Sequence, residues 1–131
     1  VCPANTADRG EHSFTYAIYP HKKKPMESEL VKIGYELNNP VRICKGSADI
    51  KPLITCNAEN IILETVFVND NGNIAFRMYE TAGKETDTEI CINTDYESIH
   101  ETDMLFENAK EMDLGNLHFN PFEIKTLEVK Q

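Results

Sequence analysis

Ile61-Ile62-Leu63-Glu64-Thr65-Val66-Phe67-Val68-Asn69-Asp70-Asn71-Gly72-Asn73-Ile74-Ala75-Phe76-Arg77-Met78-Tyr79-Glu80 is the stretch on which the fold turns. Asn69 to Asn73 are all Asn, Asp or Gly, the types that tolerate positive φ, and they separate two apolar runs; the pattern predicts a β-hairpin. With Val68 opposite Ile74, Val66 meets Phe76 and Leu63 meets Tyr79. One face then carries Ile62, Val66, Val68, Ile74, Phe76 and Met78, and the other Ile61, Leu63, Phe67, Ala75 and Tyr79. A sheet wetted on one side alternates apolar with polar, so two apolar faces call for two covers. One is an opposing sheet. The other is either this chain's own helix and loops or a neighbouring domain, which makes Leu63, Phe67 and Tyr79 the candidate domain-interface residues.

Outward from the hairpin, short extended runs recur between Gly-, Asn- and Pro-bearing loops: Val41 to Cys44, Leu53 to Cys56, Thr86 to Ile92, Tyr96 to Thr102 and Phe122 to Val129. Thr102 to Asn108 reads as an irregular connection. In the last run Phe122 and Ile124 are expected to point inward and Glu123, Lys125 and Glu128 to solvent. Leu127 and Val129 fall on the opposite parity, which implies a bulge near Thr126. Upstream, Met26, Leu30, Ile33 and Leu37 recur at helical spacing between Pro25 and Asn38-Asn39-Pro40, predicting a helix over about residues 27–37. Gly10-Glu11-His12-Ser13-Phe14-Thr15-Tyr16-Ala17-Ile18-Tyr19-Pro20-His21 alternates with period two and predicts a first strand from Glu11 to Tyr19, ended by Pro20. The fold class is all-β: an antiparallel β-sandwich with one short α-helix, residues 1–131 forming one domain.

The wording of that first strand, with Tyr35-Glu36-Leu37-Asn38-Asn39-Pro40, Glu59-Asn60-Ile61-Ile62-Leu63-Glu64-Thr65-Val66, Phe76-Arg77-Met78-Tyr79-Glu80 and Pro121-Phe122-Glu123-Ile124-Lys125-Thr126-Leu127, resembles the C-terminal β-sandwich of glycoside hydrolase family 38, the retaining α-mannosidases, in its bacterial and cytosolic-type branch. The five segments occur in the same order and span nearly the whole chain. The resemblance implies a non-catalytic C-terminal domain that packs against and braces its own N-terminal catalytic domain. The parent would hydrolyse α-mannosides with a divalent metal, zinc, while no cofactor is expected in these residues. The family's nucleophile and metal ligands lie in the catalytic domain, and none of those motifs occurs here. Strands upstream of Val1 are expected from the family, so the chain reads as truncated from a larger α-mannosidase. Asp8, Arg9 and His12, in the segment leading into the sandwich, are the candidate cleft-side junction.

Composition bounds the alternatives. A net charge of −9 opposes binding to a polyanion, and no apolar run approaches a membrane span, so neither nucleic acid nor membrane is expected as a partner. His21-Lys22-Lys23-Lys24 reads as a solvated loop. Cys2, Cys44, Cys56 and Cys91 include no close pair of metal-site or redox spacing and are expected free, Cys56 and Cys91 as small hydrophobes within strands. With no Asn-x-Ser/Thr sequon, this favours a cytoplasmic location. The histidines are scattered. Among 22 acidic residues, Glu64 and Glu80 fall where they could share a hairpin face, but retaining chemistry needs two carboxyls roughly 5 to 5.5 Å apart, and solvated or ion-paired strand carboxylates are the commoner arrangement. The rival function is an independent carbohydrate-binding sandwich. Trp is absent, and Tyr19, Tyr35 and Tyr96 are the aromatic residues least needed inside.

Overall fold

A computed structural model describes residues 9–25, 29–47 and 49–131. In chain order the elements are α1 (Leu30–Asn38), β1 (Ile54–Cys56), β2 (Ile61–Val68), β3 (Ile74–Glu80), β4 (Thr86–Thr88), β5 (Ile90–Ile92), β6 (Ser98–Thr102), β7 (Lys110–Glu111), a 3-10 turn (Leu114–Asn116), β8 (Leu117–Phe119) and β9 (Ile124–Lys130). One five-stranded antiparallel sheet runs β2-β3-β9-β6-β7. Two short antiparallel ribbons, β1-β5 and β4-β8, lie over it. The core fills the space between these layers: Phe76, Met78, Leu127, Val129 and Ile99 from the large sheet meet Ile90, Leu114, Leu117 and Phe119 from the other. Each such side chain taken from water contributes roughly 1.5–3 kcal/mol, so this cluster is what holds the sandwich closed.

The hairpin forms with the expected strand limits and with Val68 opposite Ile74 and Val66 opposite Phe76. Asn69 closes it: its side-chain oxygen accepts from the Asn71 and Asn73 amides at 3.1 and 3.0 Å, and Gly72 takes positive φ. Beyond Thr65, however, the register slips, so that Leu63 faces Met78 and Ile62, not Leu63, faces Tyr79. The extra residue is Glu64. A bulge changes the parity of everything before it, which moves Ile61 and Leu63 onto the Phe76 face and Ile62 onto the other.

The last strand is corrected in the opposite sense, because it contains no bulge. Its register against β3 is continuous from Ile124 to Val129, with Leu127 and Val129 in the core. Lys125 must then share their face and is buried, while Ile124 and Phe122 are left exposed. Glu128 is buried too, on the second face. Three inward aliphatic and cationic positions at period two outweighed two apolar residues at the strand's start.

Other expectations shift. The run Thr86 to Ile92 is two strands broken at Glu89, because Asn57 takes the Glu89 amide and the Thr88 hydroxyl into its side-chain oxygen. Cys91 is exposed, not packed inside. β7 and β8 lie in stretches where no strand was expected; they are two and three residues long, too short for a period to register. Glu11 to Tyr19 and Val41 to Cys44 form no strand. Neither pairs with a described strand, and Phe14, Tyr16, Ile18, Val41 and Ile43 are all exposed. Alternation reports which residues share a side, but a ladder needs a partner.

Helix α1 ends where expected, with Asn39 donating its amide and its side chain to the Tyr35 carbonyl before Pro40. Met26, Glu27 and Ser28 lie outside the described residues. None of its residues is fully buried. Its tether to the sheet is Tyr35, whose hydroxyl donates to the Leu63 and Glu64 carbonyls at 3.3 and 2.8 Å, at the bulge.

Candidate functional site

Two places gather polar side chains. The first is the end of β3. Glu80 is 1% exposed, yet its carboxylate accepts five hydrogen bonds: at Oε1 from the Asn60 side chain and the Ala82 amide, 2.8 and 2.6 Å, and at Oε2 from the Gly83, Lys84 and Phe122 amides, 2.8, 3.3 and 3.0 Å. Burial works to raise its pKa. The donors from Phe122, Asn60, Ala82 and Gly83 outweigh that and bring it to about 2. Gly83 makes the turn feasible, with φ +69° and the Phe122 ring where a Cβ would stand. At neutral pH the group is therefore an anion that clamps three chain segments, with both oxygens engaged by hydrogen-bond donors.

The second is the outer face of the large sheet, opposite the core. Its register brings Phe67, Ala75 and Arg77, Tyr79, Ile124, Thr126 and Glu128 to one side. The loop after β6 covers part of it. Asp103 Oδ1 accepts the Leu105 and Glu107 amides, Oδ2 accepts from Asn108, and Phe106 is held at φ +64°. These hydrogen bonds, led by that from the Glu107 amide, lower the Asp103 pKa. The Phe106 ring meets Phe67 edge-on at 5.8 Å, and Arg77 lies 5.6 Å over Phe67 while donating to the Met104 carbonyl. At the other end lies Tyr79, whose pKa is raised by burial first and then by Glu64 and Tyr35. Between these covers stays a cleft of about 520 Å³, lined by Tyr35, Asn39, Glu64, Thr65, Arg77, Met104 and Ile124. A second cleft of about 630 Å³ runs between α1 and the start of β2, its lining including Lys23, Lys32 and Lys84 together with Glu29, Glu36 and Glu59.

The candidate interface trio divides. Phe67 and Tyr79 share the outer face, half-buried under the Phe106 loop and near Tyr35, whereas Leu63 packs against the core. Asp8 lies outside the described residues; Arg9 and His12 are exposed. Glu64 and Glu80 do not pair: the first is exposed at the bulge and the second is buried in its own turn. Tyr35 is engaged with the bulge, and Tyr19 stacks on His21 at 5.9 Å. Cys44, Cys56 and Cys91 are free, and Cys2 lies outside the described residues. Among the described residues no three His, Cys, Asp or Glu side chains are grouped to hold a metal ion. No helix among them is long and apolar enough to cross a membrane.

Arg77, Phe106 and Lys125 were not singled out from sequence. Lys125 donates to Glu101 at 2.7 Å and pairs with Glu123 at 3.2 Å, with its ammonium 5.7 Å from the Phe119 ring. Burial lowers its pKa, but Glu101 and Glu123 prevail and raise it. The parity of Leu127 and Val129 was the signal that would have found it.

The sequence family described as the glycosyl hydrolases family 38 C-terminal beta sandwich domain matches residues 60–127, just over half of the chain. Alpha-mannosidase G of Dictyostelium discoideum is 33% identical over 139 residues, which cover 95% of this chain. Alpha-mannosidase 2C1 of Mus musculus and of Homo sapiens are 26% and 25% identical over the same share. The chain spans 13% of the length of each of these relatives.

Proposed function

Since the chain belongs to the family of glycoside hydrolase family 38 C-terminal β-sandwich domains, we propose that it is the non-catalytic C-terminal domain of an α-mannosidase, packed against the catalytic domain and bracing its cleft. The parent enzyme then hydrolyses α-mannosides with retention, with zinc held by residues outside those described here. What supports this reading most is the use to which the buried carboxylates are put. Glu80 is saturated by its turn, and Glu128 accepts at Oε1 from Asn69 and Asn73 at 2.6 and 3.0 Å, so both carboxylates are engaged in holding the fold together. The free thiols of Cys44, Cys56 and Cys91 favour a reducing compartment such as the cytoplasm.

The purified 131-residue chain, assayed with an aryl α-mannoside and added zinc, is expected to show no turnover above background. Deleting residues 54–131 from the longer polypeptide is expected to lower both its thermal midpoint and its activity. Turnover by the isolated chain, or a deletion that changes neither property, overturns the proposal.

A second reading, carbohydrate binding, has one observation in its favour: Phe14 and Tyr16 are exposed neighbours with ring centroids 6.4 Å apart. Their planes are tilted by 34°, which does not make one flat platform for a pyranose face. Titration of the chain with mannose and methyl α-mannoside decides it; saturable binding would support this reading over bracing.

A further inference from the structure

Among the described residues, two long exposed stretches lie ahead of β1. Every residue from 9 to 25 is exposed, and so are the described residues from 36 to 53. Within these two stretches sit apolar side chains at period two: Phe14, Tyr16 and Ile18, at 80, 78 and 88% exposure, and Val41 and Ile43, at 89 and 93%. Such alternation is the pattern of a half-buried strand. Yet neither stretch joins a ladder with any described strand. An extended segment in this state leaves its backbone groups to water and gains nothing from its apolar side, so the pattern has a function only where another sheet supplies both ladder and cover.

Two further facts narrow the partner. The second stretch leaves directly from the end of α1, which Tyr35 holds to the β2 bulge. The C-terminal sandwich family begins its match at residue 60, whereas the α-mannosidase relatives align over 95% of the chain and extend far beyond it. Residues 13–19 and 41–44 thus lie ahead of the family match, in a chain that aligns almost throughout with much longer relatives.

We propose that residues 13–19 and 41–44 are strands donated to the β-sheet of the adjoining domain of the same longer polypeptide, the domain that precedes the sandwich. Main-chain ladders give the attachment, and Phe14, Tyr16, Ile18, Val41 and Ile43 enter that domain's core from one side. The α1 segment, pinned by Tyr35, sets the spacing between the two strands and the sandwich. This deepens the bracing role and rests on the chain being part of a longer α-mannosidase.

Amide hydrogen exchange read by mass spectrometry tests it on two proteins, the 131-residue chain and the longer polypeptide that contains it. Peptides covering 13–19 and 41–44 are expected to exchange freely in the shorter protein and about 100-fold or more slowly in the longer one, while the β2–β3 hairpin is protected in both. Thr15→Pro and Ile43→Pro in the longer protein, each removing a ladder donor, are expected to restore fast exchange in the adjoining sheet and leave the hairpin protected. Fast exchange of both segments in the longer protein overturns the proposal. So does slow exchange in the 131-residue chain, whether it sediments as a monomer, meaning pairing within the chain, or as a dimer, meaning a second copy is the partner. Hydrolysis of an aryl α-mannoside by the longer protein is measured alongside; protected segments without that activity would refute the α-mannosidase reading and leave the strand donation standing.

Discussion

Replacing Glu80 by Gln tests the most concentrated electrostatic feature of the domain. The carboxylate lies 1% exposed and accepts five hydrogen bonds from Asn60, Ala82, Gly83, Lys84 and Phe122. Its pKa stands at about 2 against an ordinary 4.5. At 1.36 kcal/mol per unit, that difference corresponds to about 3 kcal/mol of stability at neutral pH. A glutamine keeps one oxygen and turns an NH₂ toward either two or three N–H donors, which adds an unpaired-donor penalty of about 1–2 kcal/mol. Glu80→Gln is therefore expected to cost about 4–5 kcal/mol at pH 7, out of a total that for domains of this size is about 5–15 kcal/mol. The sign with pH follows from a depressed folded-state pKa: the contribution is complete above pH 4.5 and is lost as pH falls toward 2. Urea unfolding followed by far-UV circular dichroism at pH 7, 4.5, 3 and 2 measures it. The wild-type advantage should shrink to about 1–2 kcal/mol at the acid end. A cost below about 1 kcal/mol at pH 7, or a difference that does not change with pH, refutes the reasoning.

Gly83→Ala, read by thermal unfolding, should cost about 1–2 kcal/mol from the left-handed backbone alone, the exposed Phe122 ring turning aside to admit the methyl group. Lys125→Met keeps the buried stem while removing the ammonium from Glu101 and Glu123, which stay partly in water; the unfolding free energy from urea titration should fall by less than about 1 kcal/mol, whereas Lys125→Ala, which opens a hole beside Phe119, should cost about 2 kcal/mol or more. Asn69→Ala removes the acceptor for the Asn71 and Asn73 amides and one donor to Glu128, and chemical denaturation should show a loss of about 2–3 kcal/mol.

Much of the architecture was legible in the residues. The hairpin limits, the sandwich class, the helix C-terminus at Asn38-Asn39-Pro40 and the irregular connection after Thr102 all follow from short-range chemistry: turn-forming side chains, proline and strict alternation. The outer face was legible as a face in want of cover, and its cover is partly the chain's own, through Phe106 against Phe67 and Tyr35 near Tyr79. What escaped was the membership of that face. Leu63 left it because one added residue at Glu64 inverted the parity behind it, and nothing in Leu63-Glu64-Thr65 marks a bulge in advance. Lys125 and Glu128 were assigned to water on side-chain type, yet each finds a partner inside: Glu101 and Glu123 for the lysine, Asn69 and Asn73 for the glutamate. Burying a charge costs far less once it has partners, and partners distant in sequence are invisible to a local reading.

By themselves, then, the amino acids determined where strands and turns can form and which residues alternate, because those preferences are settled within a few bonds of backbone torsion and side-chain shape. Only the tertiary structure decided which strands have neighbours, which face each side chain ends on after the Glu64 bulge, and why Phe14 to Ile18 stays unpaired while Ile61 to Val68 does not. Pairing and burial are properties of two segments brought together, and the energy that selects them exists only once both are in place.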